Sequence, residues 1–431
     1  MKDILLEKVF EAERWEAAIN KGFFKGIDKG ELRQLCGPET RVRLAMAILE
    51  DNYEIAPPHQ ALIPKDNGEF RTVYVNENID RIFLSIVNDL LFELCSDMIH
   101  PACKSYQKGI GCGKVVQEIS HKLQSNLYQH SNDILGFKAD LSKYFDSVPI
   151  EFIDGAFDCV ERRTGKSKVI TILRKYYHTD LCFDPDGNLI KHYQSLKQGC
   201  AVASFLADVM LHHVDIKLYE KSRINMVSMY VRYSDDILYI GTQYENAMSI
   251  LEEELNKMSM KLNPKKVEYL TGDKWFKFLG FMIKGSQITL SPNRVKQFQK
   301  EIERRSIGNL NYNVGGKIAL KSINRYLYKG DGTYSWATQV LPIINVEKDI
   351  DTLNEFVMDC IRACQTGKRN IGGLGTVTNR KDCTILRGTG KNVSANRRNT
   401  EKEIEGYYSI RCMQKALNIC RPVYDTIVRE M

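Results

Sequence analysis

Tyr233-Ser234-Asp235-Asp236 stands between two apolar runs, Met226-Val-Ser-Met-Tyr-Val-Arg232 and Ile237-Leu-Tyr-Ile-Gly241. Val, Ile and Tyr favour strands, and a short polar interruption between two such runs predicts a β-hairpin with the acidic pair at its tip. The arms are too apolar for a ribbon surrounded by water, so we expect the tip to lie in a cleft. Two adjacent carboxylates repel each other in a cleft unless a cation neutralises them.

A third acidic residue, Asp140, closes a predicted strand that runs from Ile134 to Leu141. Apolar and other residues alternate along this strand, which is typical of a strand with one buried face. A strand end that directs one acid toward a hairpin bearing two makes an oxygen-rich site, and such a site suits Mg²⁺. Two such ions about 4 Å apart can hold the attacking and leaving oxygens of a phosphoryl transfer.

The rest of the chain mixes helices and strands without regular βαβ alternation, which predicts an α+β fold. Apolar spacing predicts helices over residues 1 to about 56, ended by Pro57-Pro58, and over Asp80 to Met98. Asn67-Gly68 between two apolar-rich runs predicts another hairpin, over Ala61 to Val75. Further predicted elements are a helix over Gly199–Tyr219, a helix over Glu245–Met258, β structure over Trp275–Leu290 and a helix over Ile404–Met431.

Composition indicates an ordinary folded protein: of 431 residues, 43% are apolar and 27% are charged. Disorder and a small disulfide scaffold are excluded by that balance, and the length suggests about three subdomains. Positive charge is concentrated in two stretches, Ser291–Gly330 with nine Lys or Arg against two Glu, and Thr366–Thr400 with eight against one Asp. The stretches indicate a polyanion-binding surface, although a solvated helix face followed by a loop is the alternative.

Cellular location is predicted from cysteines and hydropathy. The 12 cysteines include no Cys-x-x-Cys pair, which favours reduced thiols in a reducing compartment. Charges interrupt the N-terminal residues, so we expect no signal peptide. The longest uncharged run, Thr333–Val346, is too short to span a bilayer. We therefore expect a cytoplasmic protein with no membrane partner.

A set of short segments, in order along the chain, resembles the motifs of bacterial reverse transcriptases. The match covers about residues 57 to 365. The matching segments are Ile63-Pro-Lys65 through Arg71, Asp80-Arg81-Ile, Ser105-Tyr-Gln-Lys-Gly109, motif A at Lys138-Ala-Asp140-Leu-Ser-Lys-Tyr-Phe145-Asp146-Ser-Val, motif B at Gln198-Gly199-Cys-Ala-Val-Ala-Ser204-Phe-Leu-Ala, motif C at Tyr233-Ser-Asp-Asp236, motif D at Lys261-Leu-Asn-Pro-Lys265-Lys266 and motif E at Phe278-Leu-Gly280.

The resemblance implies a right-hand polymerase fold of the α+β class, with fingers, a palm made of an antiparallel sheet backed by helices, and a helical thumb. The implied boundaries are an N-terminal helical extension at 1–56, fingers at 57–135, a palm at 136–290 with part of the fingers inserted at about 150–195, a thumb at 291–365 and a basic C-terminal extension at 366–431.

The family's activity is RNA-directed DNA polymerisation, a nucleotidyl transfer, and the resemblance carries its roles to matching positions. Asp140, Asp235 and Asp236 would hold two Mg²⁺ ions, for which Mn²⁺ can substitute. Residues with implied nucleotide roles are Lys65 and Arg71 on the triphosphate, Gln198 in the nucleotide pocket, Phe145 as an aromatic gate against the ribose 2′-hydroxyl, and Lys265 or Lys266 as proton donor to pyrophosphate.

Nucleic-acid contacts are expected outside the carboxylate site. Gly280 would allow close approach of the primer backbone. Basic residues expected to contact nucleic acid are Arg304, Arg305, Arg380, Lys381, Arg397 and Arg398. The expected partners are a noncoding RNA template, a DNA primer or product, and deoxynucleoside triphosphates, whereas the sequence leaves the oligomeric state open.

Departures from the motifs narrow the subfamily. Ser204-Phe205 stands where motif B commonly has Ser-Pro, and no Cys-x-x-Cys nuclease of the group II intron kind is present. The Asn-Ala-x-x-His and Val-Thr-Gly blocks of retron enzymes are also missing. What is left resembles the stand-alone reverse transcriptases of antiphage defence, in particular class 2, which copy a dedicated noncoding RNA.

Two other functions stay open at this level. The same site could support template-independent or protein-primed DNA synthesis, since the 21 tyrosines offer hydroxyl primers. A protein of another class, a non-catalytic RNA-binding scaffold or maturase, would have no use for the magnesium ligands. An RNA polymerase would need a small residue at Phe145.

Overall fold

A computed structural model describes residues 3–21, 24, 26–65, 68–124, 133–223, 228–306, 315–332, 334–366, 374–376, 386–388, 404 and 406–431. The chain forms two compact units. The first unit comprises Met1–Gly109 and Gly136–Tyr269, and the second comprises Ile110–Leu135 and Leu270–Met431. No helix within the described ranges combines the length and the apolar character needed to cross a membrane.

Helices and strands are numbered here along the chain. The helices are α1 (Ile4–Val9), α2 (Ala12–Lys21), α3 (Lys29–Leu35), α4 (Pro38–Leu49), α5 (Asn78–Leu94), α6 (Cys112–Leu123), α7 (Tyr144–Ser147), α8 (Ile150–Thr164), α9 (Lys168–His178), α10 (Ala203–Met210), α11 (His212–Ser222), α12 (Tyr244–Lys257), α13 (Pro292–Arg305), α14 (Gly315–Asn324), α15 (Trp336–Val340), α16 (Glu347–Thr366), α17 (Ile410–Ile419) and α18 (Arg421–Glu430). The strands are β1 (His59–Pro64), β2 (Phe70–Val75), β3 (Ile134–Asp140), β4 (Leu181–Phe183), β5 (Leu189–Lys191), β6 (Met229–Tyr233), β7 (Asp236–Ile240), β8 (Glu268–Thr271), β9 (Phe276–Phe278), β10 (Phe281–Lys284), β11 (Gln287–Leu290), β12 (Leu374–Thr376) and β13 (Leu386–Gly388).

Four helices begin the first unit, as the apolar spacing predicted. The carboxylate of Asp3 accepts a hydrogen bond from the Leu6 amide at 2.9 Å and so caps the start of α1. On α2, Arg14 makes a two-pronged ion pair with Glu93 of α5, with N–O distances of 3.0 and 3.1 Å. The ion pair joins α2 to α5, whose inward face is apolar.

A four-stranded sheet, here called the hairpin sheet, has the order β2-β1-β4-β5. Its first two strands pair antiparallel, with Ile63 opposite Arg71 and Pro64 opposite Phe70. The hairpin predicted over Ala61 to Val75 is therefore confirmed, while Asp66 and Asn67 of its turn lie outside the described residues.

A second four-stranded sheet, here called the central sheet, has the order β6-β7-β3-β8. Strand β7 pairs antiparallel with both β6 and β3, and Phe137 of β3 stacks on Tyr239 of β7 at 5.7 Å between ring centroids. Helices α11 and α12 pack on β7. Ile237 to Ile240 of β7 are all buried, so both faces of this strand are covered, and a slip of one residue would exchange the side chains of the two faces.

The predicted single helix over Gly199–Tyr219 is wrong, because the structure has α10 and α11 with a break at Leu211. In a continuous helix the Ala207 and Asp208 carbonyls would accept from amides four residues later. Here the Ala207 carbonyl accepts from the Tyr144 hydroxyl at 2.6 Å, and the Asp208 carbonyl accepts from Arg232 Nη2 at 2.7 Å. The side chains of Tyr144 and Arg232 therefore donate to two carbonyls that a continuous helix would use for its own backbone hydrogen bonds.

The second unit contains a three-stranded antiparallel sheet, β11-β10-β9, which confirms the β structure predicted over Trp275–Leu290. Helix α6 packs on this sheet, and the Ser120 hydroxyl donates to the Gly285 carbonyl at 2.8 Å. The predicted helix over Ile404–Met431 is instead α17 and α18, separated at Cys420. Pro422 explains the break, because proline has no amide hydrogen and its ring clashes with the preceding turn. Helices combined with mostly antiparallel sheets confirm the α+β class.

Candidate active site

The acidic hairpin tip forms a strained two-residue turn. Tyr233 pairs with Asp236 across β6 and β7, so Ser234 and Asp235 alone make the turn. The backbone of Ser234 has φ 58°, a left-handed conformation that two-residue hairpin turns usually assign to glycine. A non-glycine residue keeps this conformation only where its surroundings hold it there.

Buried side chains hold Ser234. Its amide donates to Ser105 Oγ at 2.9 Å, and its carbonyl accepts from Arg232 Nη1 at 3.1 Å. Ser105 in turn donates to Asp208 Oδ1. Ser105 is brought here by backbone pairing, because the Lys104 amide donates to the Arg232 carbonyl at 2.8 Å. Both backbone polar groups of Ser234 are thus hydrogen-bonded to buried side chains.

Arg232 belongs to a buried ion pair with Asp215, and the side chains of both residues are 0% exposed. The pair is bidentate, with Nε–Oδ1 and Nη2–Oδ2 distances of 2.7 and 2.6 Å. The Tyr230 hydroxyl also donates to Asp215 Oδ1 at 2.7 Å. A bidentate, fully hydrogen-bonded pair is the arrangement in which buried charges are tolerated.

We name Ser105, Asp208, Asp215, Tyr230 and Arg232 the support network. No role in the site was predicted for these five residues from the sequence. One pattern could have indicated it: Arg232 is a charged residue inside an apolar strand, and Asp208 is an acid in the largely apolar helix α10.

Asp140 meets the turn as predicted. It is the last residue of β3 and lies directly opposite Asp236 in the β3–β7 ladder. Residues facing each other in an antiparallel ladder have Cα atoms about 4.5–5.5 Å apart. The three aspartates from distant parts of the chain are therefore neighbours, with Asp140 and Asp236 on adjacent strands and Asp235 on the turn.

Burial and mutual repulsion raise the pKa of two of these carboxyls. For Asp235, burial raises the pKa most and the charge of Asp140 adds to it. For Asp236, burial followed by the charges of Asp235 and Asp140 raises the pKa to about 6. The charged forms thus lack a sufficient counter-charge, which a hard divalent cation would supply.

The donor chemistry fits such a cation, because all three side chains offer carboxylate oxygens. Within the described part of the chain, however, no three His, Cys, Asp or Glu side chains are gathered closely enough to hold an ion as they stand. The carboxylate of Asp140 is instead engaged by Lys266, whose Nζ lies 2.6 Å from Oδ2.

Motif D thus contributes Lys266 to the cluster. The Asn263 amide donates to the Asp140 carbonyl at 2.8 Å, and the Asn263 side chain accepts from the Lys265 amide at 3.2 Å. Of the two lysines left open by the sequence, the structure brings Lys266 to the carboxylates and leaves Lys265 exposed. A nucleotide role for Lys265 stays a prediction.

Arg71 and Lys65 lie at the hairpin-sheet end of the first unit. Arg71 is exposed on β2, and its charge lowers the pKa of Asp235, against the dominant effect of burial. Lys65 follows β1 and has its Nζ 3.6 Å from Glu69 Oε2. Arg71 is therefore within electrostatic reach of the carboxylates.

Gln198 is fixed against the same hairpin. Its carbonyl accepts from the Tyr74 amide at 2.7 Å. The next residue, Gly199, has φ 109°, and a Cβ there would lie 2.8 Å from the Tyr74 carbonyl oxygen. Glycine is thus required where motif B packs on β2. Nearby, the Leu196 amide donates to the carbonyl of half-buried Phe145 at 3.1 Å.

The remaining predicted residues lie in the second unit or outside the described ranges. Gly280 has φ 81°, a left-handed conformation that favours glycine, and a Cβ there would lie 2.7 Å from Nε of the Arg294 side chain. Arg304 and Arg305 both pair with Glu301, at 2.7 and 2.6 Å. Four predicted RNA contacts lie outside the described residues: Arg380, Lys381, Arg397 and Arg398.

Comparison with solved structures finds telomerases. The apo telomerase of Candida tropicalis matches with a TM-score of 0.44 and 12% identity, over 73% of this chain and 59% of that chain. The Candida albicans telomerase in complex with the TWJ fragment of telomeric RNA gives a TM-score of 0.47 and 14% identity, over 73% and 55%. The corresponding Candida tropicalis complex gives 0.45 and 14%, over 76% and 65%. The chain thus spans less than two thirds of each of these telomerase chains.

Comparison with protein families identifies the chain. No curated protein sequence matches it. The family model described as reverse transcriptase (RNA-dependent DNA polymerase) matches residues 63–283. This range is about half of the chain and includes the three aspartates, Lys266 and Arg71. The chain therefore belongs to the reverse transcriptase family.

Proposed function

We propose that this protein is an RNA-directed DNA polymerase whose Asp140, Asp235 and Asp236 hold two Mg²⁺ ions, with Mn²⁺ as a possible substitute. The observation that carries the proposal is the register of the central sheet, in which Asp140 faces Asp236 beside the Asp235 turn. Bound ions would favour ionisation of the primer 3′-hydroxyl and offset the charge of the triphosphate. The support network holds the backbone of the Ser234–Asp235 turn through the Ser234 amide and carbonyl.

Other residues of the first unit would select and orient the nucleotide. Arg71 offers a planar fork for two phosphate oxygens, and Lys65 offers a point charge. Gln198, anchored to β2 through its carbonyl, would line the pocket. The ring of Phe145 would exclude a ribose 2′-hydroxyl, which favours deoxynucleotides. Lys266, next to Asp140, is the better placed of the two motif D lysines to donate a proton to pyrophosphate.

The template is proposed to be a structured noncoding RNA, and the setting to be bacterial antiphage defence in the cytoplasm. Support for the setting comes from the motif departures at Ser204-Phe205 and from the missing nuclease and retron blocks. Support for the RNA comes from the basic stretch Thr366–Thr400, since Lys and Arg bind phosphates without regard to sequence. Cells that express the protein should resist phage, whereas cells that express the Asp235→Asn, Asp236→Asn variant should not.

Primer extension tests the polymerase itself. With a primed RNA template, dNTPs and Mg²⁺, the full chain should synthesise DNA, and the Asp235→Asn, Asp236→Asn variant should lose synthesis while keeping RNA binding. Asp186→Asn, in an exposed turn of the hairpin sheet, is the matched control and should stay active.

The outcomes separate the candidate functions. Full activity in the double variant would refute the site assignment. Incorporation of dNTPs without any template would favour template-independent or protein-primed synthesis. RNA binding without synthesis under any condition would favour a scaffold.

A further inference from the structure

Lys266 takes up a position that is unusual for an exposed lysine. Its Nζ donates to Asp140 Oδ2 at 2.6 Å. Its charge also lowers the pKa of Asp235 and of Asp236, so all three carboxylates are within its electrostatic reach. Arg71 also lowers the pKa of Asp235 and Lys138 that of Asp236, whereas Lys266 acts on both carboxyls and contacts Asp140 directly.

Backbone pairing fixes this position. Leu141 and Leu262 form an isolated antiparallel bridge, and the Asn263 amide donates to the Asp140 carbonyl at 2.8 Å. The turn Pro264–Lys266 follows at once, so the side chain of Lys266 starts next to the end of β3. The backbone therefore places the start of the Lys266 side chain next to Asp140, and the contact between the two follows from the fold.

The two partners differ in their freedom to move. The side chain of Lys266 is 55% exposed, whereas that of Asp140 is 11% exposed. Strand β3 holds Asp140, while the flexible stem of the lysine can turn into solvent without disturbing the core. If a metal ion binds to Asp140, we therefore expect the Lys266 side chain to move away and Asp140 to stay in place.

We infer that Lys266 is a resident counter-cation, which occupies the Asp140 oxygen in the metal-free protein and competes with divalent ions for it. The inference rests on the proposed metal role of the three aspartates. An ammonium group carries one charge and a divalent ion carries two, so the ion prevails at sufficient concentration. Lys266 would then stabilise the empty site and set the metal concentration at which the site fills. Release from Asp140 would also free its ammonium group for the nucleotide.

Metal binding in three variants tests the inference. Binding of Mn²⁺ alone is measured on the full chain by the loss of the free-ion electron paramagnetic resonance signal. Lys266→Met should bind Mn²⁺ at least about fivefold more tightly than the wild type, because the competing charge is gone. Lys266→Arg should stay near the wild type. Lys265→Met is the matched control, since its lysine is a sequence neighbour that is exposed, and it should change the affinity less than twofold.

Amine labelling of the wild-type protein gives a second readout that needs no variant. Acetic anhydride followed by mass spectrometry reports the reactivity of each lysine. In EDTA, Lys266 should react more slowly than Lys265, and saturating Mn²⁺ should speed its labelling at least about threefold. Labelling of Lys265 should not change.

The results distinguish the two levels of the hypothesis. If Mn²⁺ binds to the wild type and not to Asp235→Asn, Asp236→Asn, the metal site stands. An unchanged affinity in Lys266→Met and unchanged labelling of Lys266 would then overturn the counter-cation role alone. If no variant binds Mn²⁺ and none extends a primer, the proposed function fails together with the inference.

Discussion

Two aromatic residues follow Asp140, and their surroundings differ. Tyr144 is buried and its hydroxyl donates to the Ala207 carbonyl, whereas Phe145 is half-buried and meets the Tyr144 ring edge to face at 5.6 Å. The Phe145 ring can therefore be truncated without removing a fully buried side chain. This separation makes the proposed gate testable apart from folding.

Phe145→Ala should weaken discrimination against ribonucleotides. Without the ring, the 2′-hydroxyl has room, so the ratio of kcat/KM for a deoxynucleotide to that for the matching ribonucleotide should fall at least about tenfold. Single-nucleotide incorporation on a primed RNA measures the ratio. Tyr144→Phe, which removes a hydroxyl and keeps the ring, should leave the ratio unchanged. Wild-type discrimination in Phe145→Ala would mean that another residue is the gate.

Asp208 carries a buried charge, and this should make stability depend on pH. Burial raises its pKa to about 6, although the charge of Arg232 opposes the shift. A folded-state pKa above the unfolded value means that the folded protein holds the proton more tightly, so stability falls as pH rises through about 4 to 6.

Asp208→Asn keeps an acceptor for Ser105 and removes the charge. Its stability relative to the wild type should therefore be about 1–2 kcal/mol more favourable at pH 8 than at pH 5. Urea unfolding at both values, in EDTA, measures the difference. A pH-independent difference between Asp208→Asn and the wild type would contradict the assignment.

At the level of single residues, the sequence predicted that the three aspartates lie together, and it did not predict the groups that hold the turn. Asp140, Asp235 and Asp236 lie in short segments whose pattern of apolar and acidic residues can be recognised in the sequence alone. Arg232 and Asp215 are partners only because β6 lies beside α11, and no local pattern reports that pairing.

The β6–β7 hairpin is the element that carries the acidic turn, and the buried Arg232 connects it to α10 and α11. Removing one partner of a buried ion pair leaves the other unpaired, which typically costs about 3–5 kcal/mol. Arg232→Met should therefore destabilise the protein by about that amount. Replacing Asp215 as well, in Arg232→Met with Asp215→Leu, should restore much of the loss.

In the double variant, polymerase activity should stay low although stability is restored. The Ser234 carbonyl still lacks its Arg232 donor in the double variant, so the turn loses one of its two supports. Chemical unfolding and primer extension, measured on the same preparations, separate the two effects. Recovery of full kcat in the double variant would show that Arg232 serves stability alone.

Helices and hairpins were predictable where local rules decide them. The hairpin over Ala61–Val75 and strands β6 and β7 follow from a turn between apolar runs. The break at Leu211 was not predictable, because the hydroxyl of Tyr144 and the guanidinium of Arg232 take carbonyls of α10 from outside the helix. Tertiary hydrogen bonds of this kind override the local pattern.

For the whole molecule, charge is distributed unevenly along the chain. The stretches Ser291–Gly330 and Thr366–Thr400 each carry a net charge of +7, equal to that of the complete protein. In the first stretch, Glu301 engages both Arg304 and Arg305. The second stretch contains eight Lys or Arg and one Asp, so ion pairing within it can neutralise little of its charge. We therefore expect the second stretch to contribute more to RNA affinity.

Neutralising four charges of the stretch Thr366–Thr400 should weaken RNA binding and should also make the binding less dependent on salt. The variant is Arg380→Gln, Lys381→Gln, Arg397→Gln, Arg398→Gln, and each lost phosphate contact lowers the slope of log affinity against log salt by about 0.7 on single strands. A variant that loses all four contacts should show a slope shallower by about 3 and weaker binding at low salt.

Titration of a labelled primed RNA at several salt concentrations measures both quantities. The control carries the same change in charge at exposed positions of the first unit, as Lys29→Gln, Arg33→Gln, Arg43→Gln, Lys166→Gln. If only the net charge of the protein mattered, both variants would lose the same RNA affinity, because long-range attraction depends on the total charge. A steeper loss in the first variant therefore locates RNA contacts in Thr366–Thr400, and equal losses would assign the stretch another purpose.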